Sequence, residues 1–101
     1  MITRGTTPTI VLTVTDFELK NTDTIHLYFS QQNKLRLEKV TPDVTIDGDK
    51  VITTLTQDDT FQLKAGEVKM QFRLKTEGGV VLASGEVFDE VQDVDDKDEV
   101  I

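Results

Sequence analysis

Few side chains in this sequence could do chemistry, and they are scattered. His26 is the only histidine, and there is no cysteine. A histidine acting as a general base needs a nucleophile within reach and a carboxylate to orient it. Neither Ser30 nor Ser84 lies in a recognisable nucleophile context. Asp47, Asp49, Asp58 and Asp59 could be imagined as the paired carboxylates of a glycosidase. Each already has a local task in turn chemistry or helix capping, and no aromatic platform for a sugar accompanies them. The run Asp93-Val94-Asp95-Asp96-Lys97-Asp98-Glu99 has the oxygen density of a calcium loop. Such a loop places ligands at alternate positions and a glycine at the sixth. Here Lys97 takes the third alternate position and Asp98 stands where the glycine belongs. The run therefore reads as self-repelling, solvated acid. Gly78-Gly79 precedes neither a Lys-Ser/Thr pair nor a helix start, so it is a turn and not a phosphate loop. The inventory predicts no catalytic residue, no metal site, no cofactor and no enzyme.

The remaining candidate is a surface. Lys69, Gln71, Arg73 and Lys75 alternate with Val68, Met70, Phe72 and Leu74, the period-two pattern of a strand with one wet and one buried face. The four polar residues form a candidate interaction face. Alternation also puts His26, Tyr28 and Ser30 on the wet side of Thr24 to Gln31, opposite Ile25, Leu27 and Phe29.

These positions must be held by a β-framework. Glu67 to Val91 reads as one long hairpin turning at Glu77-Gly78-Gly79, with a bulge at Ser84-Gly85 where the inward residues change from Leu82 to Val87. Thr9 to Thr15 is β-branched and strand-like, with Ile10, Leu12 and Val14 on one face; Met1 to Pro8 is a polar lead-in. Gln32-Asn33 turns Thr24–Gln31 into Leu35 to Val40, where Leu35 and Leu37 alternate with Arg36 and Glu38 until Pro42. Val44 to Ile46 and Lys50 to Thr56 flank the hairpin signal Asp47-Gly48, and which face of the second arm is buried stays open. Thr56 with Asp59 makes a capping-box variant for a single helical turn near 57–62, fastened by Phe61 and Leu63. About seven short strands and almost no helix predict an all-β domain. The architecture is a compact antiparallel β-sandwich of immunoglobulin-like type, or a small barrel. The expected division is one domain over 1–92 and an acidic C-terminal tail over 93–101.

Charge supports that division. The net charge is −8, yet from Glu86 onward there are eight acids and one lysine, while the first 85 residues hold 11 acids and 10 bases. A near-neutral body with an acidic end disfavours nucleic acid and anionic membrane as partners, because phosphate binding needs clustered Lys and Arg. Absence of cysteine fits a reducing compartment. The first residues lack the apolar core of a cleaved leader, and no run approaches a membrane span. The sequence predicts a soluble protein.

Four segments carry a resemblance. They are Ile2-Thr3-Arg4-Gly5-Thr6-Thr7-Pro8-Thr9, Leu55-Thr56-Gln57-Asp58-Asp59-Thr60-Phe61, Lys64-Ala65-Gly66-Glu67-Val68-Lys69-Met70-Gln71-Phe72-Arg73, and Ala83-Ser84-Gly85 through Val94. In them the chain resembles small prophage and phage structural proteins of Gram-positive bacteria, tail- or baseplate-associated, and is similar to the N-terminal domain of baseplate upper proteins. The resemblance implies a virion structural or assembly component. It would be made in the bacterial cytoplasm, end in the virion, and act by contact with other phage structural proteins or with itself as a homo-oligomer. It carries over no catalytic residue. The acidic end is where the chain departs from the pattern. The alternative from another class is an immunoglobulin-like module binding a ligand or carbohydrate, for which Tyr28 and Phe88 are the aromatic candidates.

Overall fold

The computed structural model describes residues 1–15, 18–20, 23–83 and 85–93. Among them nine strands and one short helix follow in the order β1 (Ile2–Thr3), β2 (Thr9–Thr13), β3 (Thr24–Gln31), β4 (Lys34–Val40), β5 (Val44–Asp47), β6 (Lys50–Thr54), α1 (Gln57–Phe61), β7 (Gly66–Lys75), β8 (Val81–Ala83) and β9 (Val87–Gln92). The chain is mostly β, as its alternation and β-branched content require.

The strands form two sheets. The larger runs β1-β9-β7-β3-β4, with β8 also paired to β7; the smaller runs β2-β6-β5. Every pairing is antiparallel except β1 with β9, where Ile2 lies beside Val91. One apolar core joins them: Phe29, Phe72, Leu27 and Leu74 of the larger sheet pack in the same cluster as Leu12, Val44 and Val51 of the smaller.

The central arm behaves as its sequence demands. Along β7, Val68, Met70, Phe72 and Leu74 are buried, while Lys69, Gln71, Arg73 and Lys75 face out. Its return arm carries the predicted irregularity. Arg73 pairs with Ala83 through β8, but Met70 pairs with Val87 through β9, a register displaced by one residue. One extra residue between β8 and β9 moves the core-side positions from Leu82 to Val87, Asp89 and Val91, of which Val91 is buried and Val87 is 42% exposed. Gly79, with φ +87°, supplies the left-handed position at the tip. In β6 the open question resolves: Val51, Thr53 and, just after it, Leu55 face the core, and buried Thr53 satisfies its hydroxyl by donating to the Asp43 carbonyl at 2.9 Å.

Three expectations need correction. Among the described residues the strands number nine, not about seven, because the return arm splits and the lead-in is not structureless. Ile2 is fully buried and pairs with β9; a two-residue strand is too short to announce itself by alternation. Leu35 and Leu37 do not share a face. Phe29 pairs with Leu37 but Ser30 pairs with Leu35, leaving Arg36 as an extra residue in β4. Leu37 is buried and Leu35 is 56% exposed. Phe61 is only half-buried, whereas Leu63 is wholly in the core.

The capping box forms as read. The Asp59 N–H donates to the Thr56 hydroxyl at 3.0 Å, and the Thr56 N–H donates to the Asp59 carboxylate at 2.9 Å. Of the tail, Asp93 is described; the calcium reading of the acidic run falls on 94–99 and lies outside the described residues.

Candidate protein-interaction face

Lys69, Gln71, Arg73 and Lys75 sit on the solvent side of β7, in the middle of the larger sheet. Register places their neighbours. One row across four strands reads Phe88 (β9), Lys69 (β7), Ser30 (β3), Leu35 (β4). The next reads Gln71, Tyr28, Glu38; the third Ala83, Arg73, His26, Val40; and Lys75 lies between Val81 and Thr24. Side chains on paired positions share a face and touch. The four polar residues expected from the sequence are therefore set among exposed apolar groups: Phe88 (55% exposed), Leu35 and Val81. Val81 owes its place to the hairpin arm, and Leu35 to the β4 bulge.

Tyr28 organises the centre of this face. The Arg73 guanidinium lies 5.7 Å from its ring centroid and donates through Nε to its hydroxyl at 3.3 Å. The His26 ring stacks on the Tyr28 ring with centroids 6.4 Å apart, and His26 Nδ1 lies 2.9 Å from Glu38 Oε1. His26 thus has a carboxylate beside it, but the hydroxyl nearest in the rows is the phenol of Tyr28. Lys69 approaches Glu86 at 3.6 Å, a loose contact between exposed groups that contributes little.

The acids imagined as a glycosidase pair fall into separate tasks. Asp47 pairs with Lys50 across the two-residue turn Gly48-Asp49, and the Asp49 carbonyl accepts from Val14 N–H at 2.8 Å. Asp58 is exposed on the first helical turn. Asp59 accepts from Lys39 Nζ at 2.9 Å. Burial pushes the Asp59 carboxyl upward, but the bonds from the Thr56 N–H and Lys39, the Lys39 charge and the Thr56 hydroxyl outweigh it and hold the carboxyl below its ordinary value. That pairing ties α1 to β4. Among the described residues no group of three or more His, Asp or Glu could hold a metal ion.

A second cluster, missed by sequence reasoning, clamps the ends of the domain. Arg4 donates through Nε to the Leu63 carbonyl at 2.8 Å, through Nη2 to the Phe61 carbonyl at 3.2 Å, and through Nη1 to Asp93 at 2.8 Å. Its guanidinium also lies 5.5 Å from the Phe61 ring centroid. Beside it the Gly5 N–H donates to buried Thr60 Oγ1 at 2.9 Å. The opening segment, the helical turn and the end of β9 meet here. The planar fork of arginine reaches three acceptors at once, and nothing in the local sequence around Arg4 reveals that its partners lie 57 to 89 residues away.

Among the described residues no helix is long and apolar enough to cross a membrane. No protein-family model, no curated protein and no solved structure matches this chain.

Proposed function

We propose that this chain is a phage or prophage virion structural or assembly protein, of tail or baseplate type, that works through protein–protein contact and not by catalysis. The observation that carries the reading is the outer face of the larger sheet, where Phe88, Leu35 and Val81 stand exposed around Lys69, Gln71, Arg73 and Lys75. Aromatic and arginine side chains over a flat surface are what protein interfaces enrich. The four segments that resemble tail- or baseplate-associated proteins support it as well, and three of them meet at the Arg4 clamp. An immunoglobulin-like sandwich is the architecture we infer. Its support is the strand order β1-β9-β7-β3-β4 facing β2-β6-β5, with β1 parallel to β9. The compartment would be the bacterial cytoplasm during assembly and the virion afterwards.

Light scattering on the intact chain over a wide concentration range, alone and mixed with the products of adjacent genes, tests the reading. Self-association or stable capture of a neighbouring structural protein, lost in Arg73→Glu with an unchanged thermal melt, supports it. A strict monomer that ignores every neighbour overturns it.

One observation favours the ligand-binding alternative: Tyr28 and Phe88 share this same face. Against it, Arg73 and His26 already occupy the ring of Tyr28. A glycan array with no binder removes that alternative.

A further inference from the structure

The edge of a sheet leaves backbone groups unpaired, and folded proteins blunt it with charge, bulges or brevity. The larger sheet follows that rule. β4 carries Lys34, Arg36 and Lys39 and a bulge, and β9 sets Asp89 on the core side beside Val68. β1 and β8 are two and three residues long. In the smaller sheet β5 has four residues and ends on Asp47. The other edge, β2, has no such device. Its five residues, Thr9-Ile10-Val11-Leu12-Thr13, hold no charge, proline or glycine, and they pair with β6 in one unbroken register.

The ladder fixes which groups of β2 are left over. The Leu55 N–H donates to the Pro8 carbonyl at 2.9 Å and the Val14 N–H to the Asp49 carbonyl at 2.8 Å, one step beyond each end of the pairing. Bonded and unbonded pairs alternate along an antiparallel ladder, so Pro8, Ile10, Leu12 and Val14 direct their backbone groups at β6. Those of Thr9, Val11 and Thr13 point the other way, and among the described residues no strand meets them. The side chains agree. Val11 is 49% exposed, and Ile10, though packed against the core, is only half-buried. The outer row of the smaller sheet reads Thr45, Ile52, Val11 and stops at the edge with its apolar end open.

Charge decides the occupant. An uncharged strand offers nothing to the bases of β4 or to the acids of β5 and β9, and a charge set beside it loses water without gaining a partner. A second β2 matches the first in length and leaves no charge unpaired. The residue order is also close to symmetric about Val11. In an antiparallel pair centred there, Thr9 meets Thr13, Ile10 meets Leu12 and Val11 meets its own counterpart. The backbone groups of Thr9, Val11 and Thr13 are then the ones that face each other, as a bonded pair on the twofold axis requires.

We propose that β2 is the seam of a homodimer, in which two copies join β2 to β2 across a twofold axis at Val11. The two three-stranded sheets become one of six strands. The row Thr45, Ile52, Val11 runs on into its symmetry mate, and Leu12 of the second copy covers Ile10. Such an isologous contact closes at two copies. It lies on the smaller sheet and leaves the outer face of the larger one free for other contacts.

Sedimentation velocity on the full chain over a wide concentration range tests this, in the native sequence and in Arg73→Glu alike, so that contacts of the outer face are scored apart. The expected result is a monomer–dimer equilibrium in both. Val11→Lys and Val11→Glu, exposed substitutions that should leave the thermal melt unchanged, should each abolish the dimer, because like charges meet at the axis. Mixing these two variants should restore it as a heterodimer. Hydrogen exchange gives the backbone reading: the Thr9, Val11 and Thr13 amides should be slow in concentrated native chain and fast when it is diluted. A native chain that stays monomeric overturns the proposal. So does a dimer that survives Val11→Lys, a mixture of the two variants that stays monomeric, or an association that leaves those three amides exchanging freely.

Discussion

Arg4 Nη1 and Asp93 Oδ1 lie 2.8 Å apart although 89 residues separate them, and the arginine side chain is only 12% exposed. This pair locks the first strand of the larger sheet to the last, with the carbonyls of Phe61 and Leu63 completing the fork.

Arg4→Ala should therefore destabilise the domain by about 2–3 kcal/mol, since several half-buried acceptors lose a charged donor at once. Asp93→Asn should cost less, because the two carbonyl bonds remain. Arg4→Lys should resemble the alanine variant more than the native chain, because an ammonium cannot reach three acceptors in a fork. Urea unfolding of the three variants gives the ranking, and equal cost for Arg4→Ala and Asp93→Asn would contradict it.

Gly5 has φ +77°, and a Cβ built on it would sit 2.8 Å from Phe61 Cζ. Gly5→Ala should cost about 1–3 kcal/mol from strain and overlap together. In the Phe61→Ala background the overlap disappears and only the backbone strain stays, so the same substitution should cost less there. A double-mutant cycle with no coupling between the two positions would disprove the contact.

Asp59 carries the pH dependence. Its carboxyl lies below its ordinary value in the folded protein, so the unfolded state binds the proton more readily. The contribution is whole above the unfolded value near ~4 and disappears as pH falls through the folded value. Stability measured from neutral pH down to the acid limb should fall less steeply in Asp59→Asn than in the native chain. The variant should also be about 1 kcal/mol weaker at neutral pH, through the lost cap and the orphaned Lys39. Parallel curves would exclude Asp59 as the titrating group.

The β4 bulge separates two leucines that the sequence makes look alike. Leu37→Ala should cost about 2–4 kcal/mol as a buried truncation. Leu35→Lys should change stability by no more than about 0.5 kcal/mol, as an exposed substitution. If both cost the same, the two side chains share a face and the bulge is absent.

Much of this fold was legible because strand periodicity is local. In β3 and β7 apolar and polar residues alternate, so burial of Ile25, Leu27 and Phe29 and of Val68, Met70, Phe72 and Leu74 follows from order alone, while buried Gln31 at the end of β3 is the polar exception. The return-arm bulge also left a trace, since Leu82 and Val87 cannot face inward on one unbroken frame. So did the helix start, written in Thr56 and Asp59.

The exposure of Leu35 has a comparable trace, in the length of the turn. A two-residue turn at Gln32-Asn33 sets Gln31 opposite Lys34 and Ser30 opposite Leu35, while the core needs Leu37 beside Phe29. Only an extra residue reconciles the two frames.

What the amino-acid order determined unaided was the alternation, the turns and the cap, because each depends on neighbours within a few residues. The folded chain decided which strands became neighbours, and with them the row from Phe88 to Leu35, the burial of Ile2 and the three acceptors of Arg4. Those contacts join residues tens of positions apart, where local preference has no reach and only the shared burial of two sheets selects the pairing.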